Sequence, residues 1–535
     1  MGEGAGGRWR RPAPAARTGR RPPSGARLSG AARLTATRLP PGRQEPGRPA
    51  VYDAAVAVPA AEGSGSAVPF RGGCPMKNYP TYSYWLETCG DDLAPRPRLD
   101  GSADVDVAVL GAGFTGLWTA YYLLERDPSL KIGILEREVA GFGASGRNGG
   151  WCYPGFPVSL GTIRDKYGAE TARTVAHAMH ETVDEIHRVL EREGIDAQWQ
   201  EGGVLRFARG KHQLPSVVAS HDEMEALGLG EYYQLLDADE TRRRVNVTDV
   251  QGAVYMPHGA SVHPGRMVRG LARAVERKGA TIWEQTPVVD WETGRHPRFL
   301  TPYGEVRAKT LVLAGEAYLT ELPKLRRAMI PLYSLIILTE PLAPELWEQI
   351  GWRHRELVSS SRYSVDYLNR TADGRILFGG RGAPYRWGSQ ITDALDRHEP
   401  THQMLRQLML QWFPMLRDTR VTHAWGGPLG MPRDWMPTTS YDAAAGVARA
   451  GAYTGSGVST TNLFGRILAD LITGAVTPLT RFPTVNHQSP RWEPEPFRFL
   501  GIRYVQEGFR RIDDKAERTG VAPSGRSLIE KLGEH

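Results

Sequence analysis

Gly111, Gly113 and Gly116 follow the pattern G-x-G-x-x-G, with Ala112, Phe114 and Thr115 between them. The first glycine permits a tight turn, the second lets backbone amides approach a pyrophosphate, and the third lets a helix pack closely on a strand. Glu136 stands twenty residues beyond Gly116, followed by Arg137. A carboxylate there can accept hydrogen bonds from an adenosine ribose and argues against a 2′-phosphate. Such a set binds an adenine dinucleotide without choosing between a nicotinamide and a flavin. The competing reading is a glycine-rich turn and a solvated glutamate.

A second glycine-rich loop, GFGASGRNGGW at 141–151, offers amides together with Ser145, Gly146, Arg147, Asn148 and Gly149. These groups suit the rest of a pyrophosphate and one edge of a flavin, with Arg147 able to neutralise phosphate or substrate charge. A third loop holds Gly455, Ser456, Gly457, Val458 and Ser459, followed by Thr460, Thr461 and Asn462. It would aim a helix N-terminus at negative charge. Three such loops fit one extended cofactor better than three unrelated turns.

The elements that must position these loops are legible around them. VDVAVL (105–110), the first glycine turn, LWTAYYLLER (117–126) and KIGILE (131–136) read as strand, turn, helix and strand, a βαβ unit. Val175, Met179, Val183, Ile186 and Leu190 form one helical stripe. Helix-then-strand recurs over 263–285, a buried strand over 308–319, and GAYTGSGVSTTNLFGRILADLITG (451–474) reads as a glycine loop entering a helix. Residues 331–340 and 357–380 are rich in β-branched and aromatic types and predict an antiparallel sheet. The expected fold is α/β: a discontinuous Rossmann-like FAD-binding domain over 104–160, 252–330 and 421–480, and a mainly antiparallel substrate domain over 161–251 and 331–420. A helical extension is expected over 481–535.

With these pieces the chain resembles the FAD-dependent amine and amino-acid oxidoreductases, the superfamily of D-amino-acid oxidase, glycine oxidase and sarcosine oxidase. VAVLGAGFTGLWTAYYL with Glu136, GASGRNGG, HPGRMVRGLA, TPVVDWE, DYLNRTADGRILFGG and GAYTGSGVSTTNLFGRILADL carry the resemblance, from about residue 80 to 480. GFGASGRNGG and SYWLE make it most similar to the gamma-glutamylputrescine oxidase group. The resemblance implies that Gly111 to Gly116, Glu136, Ser145, Arg147, Asn148 and Gly149 line FAD. It also implies that Val288 meets the adenine side and Gly455 to Ser459 the isoalloxazine side. Some relatives hold FAD covalently through a cysteine or histidine, but THAWGGPLGMPRDWMP has no Cys and GASGRNGG no His, so a non-covalent FAD is expected. Sarcosine-oxidase-type members use a lysine beside the flavin to react with oxygen, and GRILFGG contains none.

The chemistry implied is hydride transfer from the carbon beside a neutral amine to flavin N5, leaving an imine that water hydrolyses. The substrate is expected to be a small amine or amino acid, and the electron acceptor oxygen or else a quinone or carrier. A non-catalytic nucleotide-fold binding protein is the alternative from another class. Tyr333, Tyr363, Tyr367 and Trp425 are candidate pocket walls, and Arg370 a candidate fork for a carboxylate. For each, an ordinary sheet aromatic or a solvated arginine is the competing reading. His177, His180 and His187 share one side of a helix but lack further ligands, so no metal is expected and they read as solvated. No G-x-S-x-G elbow anchors hydrolase chemistry, and Cys152 reads as a small buried hydrophobe.

Composition closes off other classes. The net charge of +7 resides in residues 1–75, which hold 12 Arg, no Lys and 4 acids, leaving −1 on the remainder. A nucleic-acid partner is therefore not expected, and the Arg, Pro, Gly and Ala of 1–75 predict disorder with Met76 as a possible start. No apolar run reaches the roughly 18 residues of a membrane span. Three cysteines without a C-x-x-C pair suit a reducing compartment, so a cytoplasmic protein is expected. Ile502, Val505, Phe509 and Ile512 form one helical face with arginines nearby, expected to pack on its own domain rather than on a membrane.

Overall fold

The computed structural model describes residues 77–532; the expected disordered extension 1–75 and the start at Met76 lie outside the described residues. A six-stranded sheet is built in the order Thr281–Trp283, Ile132–Leu135, Val107–Leu110, Thr310–Leu313, Val447–Gly451 and Thr438–Asp442. The first five strands are parallel and the last is antiparallel. Its central strands are buried on both faces, which is why VAVL, IGIL and TLVL read as continuous apolar runs. On one face lie the helices Phe114–Arg126, Ala169–Arg192, Pro264–Arg277 and Gly457–Thr473, which share one apolar core. Gly465 lets two of them approach closely, since a Cβ there would sit 2.7 Å from Cβ of Trp118. The other face is covered by an antiparallel meander of Asp290–Glu292, Arg298–Thr301 and Gly304–Arg307. The helix Phe114–Arg126 ends at Asp127, which precedes a proline and is extended, as sterics require.

A second, eight-stranded sheet runs in the order 421–431, 330–339, 376–381, 366–370, 357–360, 204–209, 250–256 and 234–237. All neighbours are antiparallel except 357–360 against 204–209. One face packs beneath the helix Glu399–Trp412 around Leu335, Phe378, Leu405 and Trp412. The opposite face carries Tyr367, Ile336 and Trp425.

The boundaries differ from the sequence reading in three places. The helix Ala169–Arg192, expected in the substrate domain, packs in the core of the six-stranded sheet: Val175, Met179, Val183, Ile186 and Leu190 are all buried there with the helix Gly457–Thr473. The strands Val250–Met256 and Val421–Met431, which fall within or across the ranges expected for the FAD domain, pair inside the eight-stranded sheet. Periodicity identifies a strand or helix but not its neighbour, so these assignments depended on contacts distant in sequence. The C-terminal helix Phe497–Thr519 packs on the eight-stranded sheet through Asp513, which accepts hydrogen bonds from Tyr363 N (3.0 Å) and Ser364 N (2.9 Å). Among the described residues no helix is long and apolar enough to cross a membrane.

Candidate functional site

A cleft of about 480 Å3 runs along the carboxyl ends of the parallel strands. Glu136, Arg137 and Val288 line one end, Gly111, Gly113, Phe114, Thr115 and Ser145 the middle, and Tyr453, Gly455, Gly457 and Val458 the other. Gly111 has φ +102°, and a Cβ there would lie 2.9 Å from the Ala314 carbonyl oxygen, so the turn requires glycine. A Cβ on Gly116 would collide with the Gly111 carbonyl, which is the close helix–strand packing expected of the third glycine. Ser145 Oγ accepts a hydrogen bond from Phe114 N at 2.9 Å, joining the first and second loops. Neither Gly113 nor Ser456, which precede the two glycine-loop helices, caps its helix with a side chain. Apart from Phe114 N, which Ser145 holds, the first-turn amides have no side-chain partner, and both helix starts border the cleft.

Glu136 accepts hydrogen bonds from Ala112 N and Glu138 N, each at 2.9 Å. Burial dominates over these amides and pushes its carboxyl up to about 7. Gly146 is buried against Gly141 and Leu86 rather than facing the cleft, and Asn148 uses its side chain on the loop itself, donating to Ala144 O and Ser145 O. Arg147 is engaged by partners within the protein. Its Nη1 donates to Asp396 Oδ2 at 2.8 Å, its Nη2 to the Tyr318 hydroxyl, and its guanidinium lies 4.6 Å from the Phe142 ring centroid. It is thus half of a buried ion pair, not an uncommitted cation. Burial pushes the Asp396 carboxyl up to about 6 against the pull of Arg147.

Two residues in this region escaped the sequence reading. Asp396 lies in a short helix far from any motif. Glu316 has φ +48° and accepts hydrogen bonds from Gly430 N (3.0 Å) and Ala452 N (2.8 Å), tying three segments together at the inner end of the cleft. Its signal was an acid directly after the glycine that ends a buried strand.

A second cavity of about 490 Å3 adjoins the cleft, sharing Ala144, Asn148, Leu429, Gly455 and Val458 with it. Gly149, Arg147, Ser456 and Ser459 line this cavity. Tyr367 forms one wall, its hydroxyl 2.8 Å from Ser334 Oγ, and burial holds it neutral by pushing it up to about 12. Its ring lies over Gly379, where a Cβ would collide with it. Trp151 meets Tyr367 edge-on at 6.3 Å and Tyr153 at 5.5 Å.

The other proposed pocket residues face elsewhere. Tyr333 alternates with Leu335 and Ile337 toward the helix-covered face, where its hydroxyl accepts from Thr392 N at 3.0 Å. Trp425 is buried against Tyr84 and Trp85, donating to Arg147 O at 2.9 Å, and braces the second loop instead of lining the cavity. Arg370 points away, donating to Trp352 O and lying over the Trp347 ring. Tyr363 sits against Phe509 of the C-terminal helix. His180, read as solvated, is buried against His258 and Tyr232, and burial pushes it down to about 4. Among the described residues no cluster suits a metal ion.

The family model described as DAO, FAD dependent oxidoreductase, matches residues 106–471. The chain is 30% identical over 429 residues to gamma-glutamylputrescine oxidoreductase of Escherichia coli K12, covering 79% of this chain and 97% of that protein. It is 29% identical over 398 residues to the probable oxidoreductase OrdL of Haemophilus influenzae, covering 73% and 88% of the two chains. The fold is similar to that of glycine oxidase from Geobacillus kaustophilus, with a TM-score of 0.58 at 21% identity over 72% of this chain and 99% of that one.

Proposed function

The chain belongs to the DAO family of FAD-dependent oxidoreductases, and from that premise we propose that it oxidises the C–N bond of a small amine or amino acid held in the Tyr367 cavity. One observation carries the reading: the cofactor cleft opens through Asn148, Leu429 and Gly455 into a second cavity walled by Trp151, Tyr153 and Tyr367. Bound FAD supplies the acceptor for a hydride from the carbon next to nitrogen, and the imine left on the substrate hydrolyses in water. The remaining work belongs to the chain. The first-turn amides beyond Phe114 N, and those after Ser456, would hold the anionic parts of the cofactor, and Glu136 would accept from its ribose. Buried Arg147 and Asp396 fix the second loop against the substrate sheet. The aromatic walls exclude water and favour the unprotonated amine that must react. Residues 107–192, 264–325 and 438–473 form the FAD layer in this reading, and the eight-stranded sheet the substrate domain.

A second reading concerns only the electron acceptor. No lysine lines either cavity among the described residues, which favours a dehydrogenase that passes electrons to a quinone or carrier over an oxidase. Free, buried Cys89 and Cys152 agree with a cytoplasmic setting. The test is anaerobic flavin reduction with a panel of γ-glutamylputrescine, polyamines, N-methyl amino acids and D-amino acids. Bleaching by at least one amine is expected. A yellow protein that none of them bleaches refutes C–N oxidation, and stoichiometric peroxide in air refutes the dehydrogenase variant.

A further inference from the structure

We propose that Asp513 of the C-terminal helix is a positioning residue for substrate selection. It holds the loop 361–365 at the mouth of the second cavity and so limits the bulk of the amine that enters. The inference rests on the reading of that cavity as the substrate site. The helix Phe497–Thr519 lies beyond residues 106–471, the span of the family model, so the limit is set from outside the shared core. Of the residues lining the cavity, Arg206, Val365 and Gly455 are exposed. Gly455 also borders the cofactor cleft, which leaves the mouth on the side of Arg206 and Val365. Between the strands 357–360 and 366–370, Arg362 and Val365 bring the loop into the cavity wall.

The loop is held from outside. Val365 has φ +57°, a left-handed conformation that is costly for a β-branched side chain. The turn closes through Val365 N, which donates to Arg362 O at 3.3 Å, while the two amides between them turn to the C-terminal helix. One carboxylate oxygen of Asp513 accepts from Tyr363 N at 3.0 Å. The other accepts from Ser364 N at 2.9 Å and from the Ser364 hydroxyl at 2.6 Å. Asp513 is buried, so water competes little for these bonds. Arg362 pairs with Glu517 one turn further along the helix, and the Tyr363 ring lies 5.8 Å from that of Phe509, one turn back. The same helix grips the segment that follows Arg381, another wall residue: Gln506 accepts from Tyr385 N at 3.2 Å and donates to Ala383 O at 3.3 Å. Ile502 is buried beside Ile330, Tyr385 and Met431. Loss of the Asp513 carboxylate therefore frees the loop while Gln506 and Ile502 keep the helix in place.

The test uses the FAD-loaded full chain. Hydrogen–deuterium exchange reads the contact itself: in Asp513→Ala the amides of Tyr363 and Ser364 should exchange about tenfold faster. Asp513→Asn can accept from only one of the two amides and should fall between. Selection is read with amines graded in bulk: putrescine, γ-glutamylputrescine and N-dansylputrescine. The kcat/KM ratio of the favoured amine to the bulkiest should narrow by roughly tenfold in Asp513→Ala, carried by KM. Arg510→Ala, an exposed position on the same helix, should leave that ratio alone. A readout without turnover is Ser334→Cys on the cavity wall, labelled with N-methylmaleimide or the bulkier pyrene maleimide and located by peptide mass. Its preference for the small reagent should narrow by a similar factor when Asp513→Ala is added. Flavin content and thermal midpoint confirm folding. Should Asp513→Ala fail to fold, Ser364→Ala, which removes only the hydroxyl bond, should shift every readout less and in the same direction. Amides that exchange no faster in the folded variant overturn the proposal. So do faster amides with both ratios unchanged, which make Asp513 a structural contact only. If no amine reduces the flavin, C–N oxidation fails separately and the labelling ratio still decides the role of Asp513.

Discussion

Glu136 offers a quantitative test of how the cleft holds its cofactor. Its carboxyl is pushed up to about 7, because burial outweighs the two amides it accepts from. A ribose needs the carboxylate, since its hydroxyls donate. The sign follows: below 7 the group is protonated and one accepting oxygen is lost, so FAD binding releases a proton and strengthens as pH rises. The carboxylate fraction is about 0.9 at pH 8 and about 0.1 at pH 6, so the apparent Kd should rise about tenfold over that interval, or about 1.4 kcal/mol. Above pH 8 the curve should flatten. The Glu136→Gln variant, which cannot ionise, should show no such slope and bind FAD roughly 10- to 100-fold more weakly than the wild type at pH 8. Quenching of FAD fluorescence by apoprotein between pH 5.5 and 8.5 measures both curves. A flat wild-type profile, or the same slope in Glu136→Gln, would show that the ribose does not depend on this carboxylate.

Asp396→Asn leaves the buried Arg147 cation without its counter-charge and should lower stability by about 3–5 kcal/mol in urea titrations; a loss below about 1 kcal/mol means the pair is solvated. Tyr367→Phe removes only the bond to Ser334 and should change kcat/KM by less than about fivefold, whereas Tyr367→Ala opens the wall and should raise KM by more than about tenfold. Since Tyr367 titrates at about 12, the activity profile below pH 9 should carry no ionisation that Tyr367→Phe removes. No cysteine or histidine lines the cleft among the described residues, so denaturation and ultrafiltration should pass all flavin through the membrane, and retained yellow colour on the chain would contradict this.

The glycine loops were legible because their chemistry is local. A positive φ at Gly111, or a Cβ that has no room at Gly116, is written into the residue type and its neighbours along the chain. The aromatic and arginine choices depended instead on which face a strand turns to the cavity. In 366–370, Tyr367 and Asn369 face the second glycine loop while Leu368 and Arg370 face the helix-covered core, and shifting the reading by one position exchanges them. In 330–339, Tyr333 faces the helix-covered core and Ser334 lies beside Tyr367, a parity that the nearly continuous apolar run does not reveal. Asp396 and Glu316 left almost none, because their partners come from segments more than a hundred residues away.

The interleaved order of the six-stranded sheet also dictates when in the protein's life the cofactor can be acquired. The strand Val447–Gly451 and the helix Gly457–Thr473 supply one end of the cleft although the opposite end is encoded three hundred residues earlier. A nascent chain still short of that helix has the Glu136 end of the cleft and no far wall. Ribosome-stalled intermediates ending before Gly457 should therefore emerge without pigment, and cells starved of riboflavin during synthesis should accumulate complete, colourless chains that can be charged afterwards.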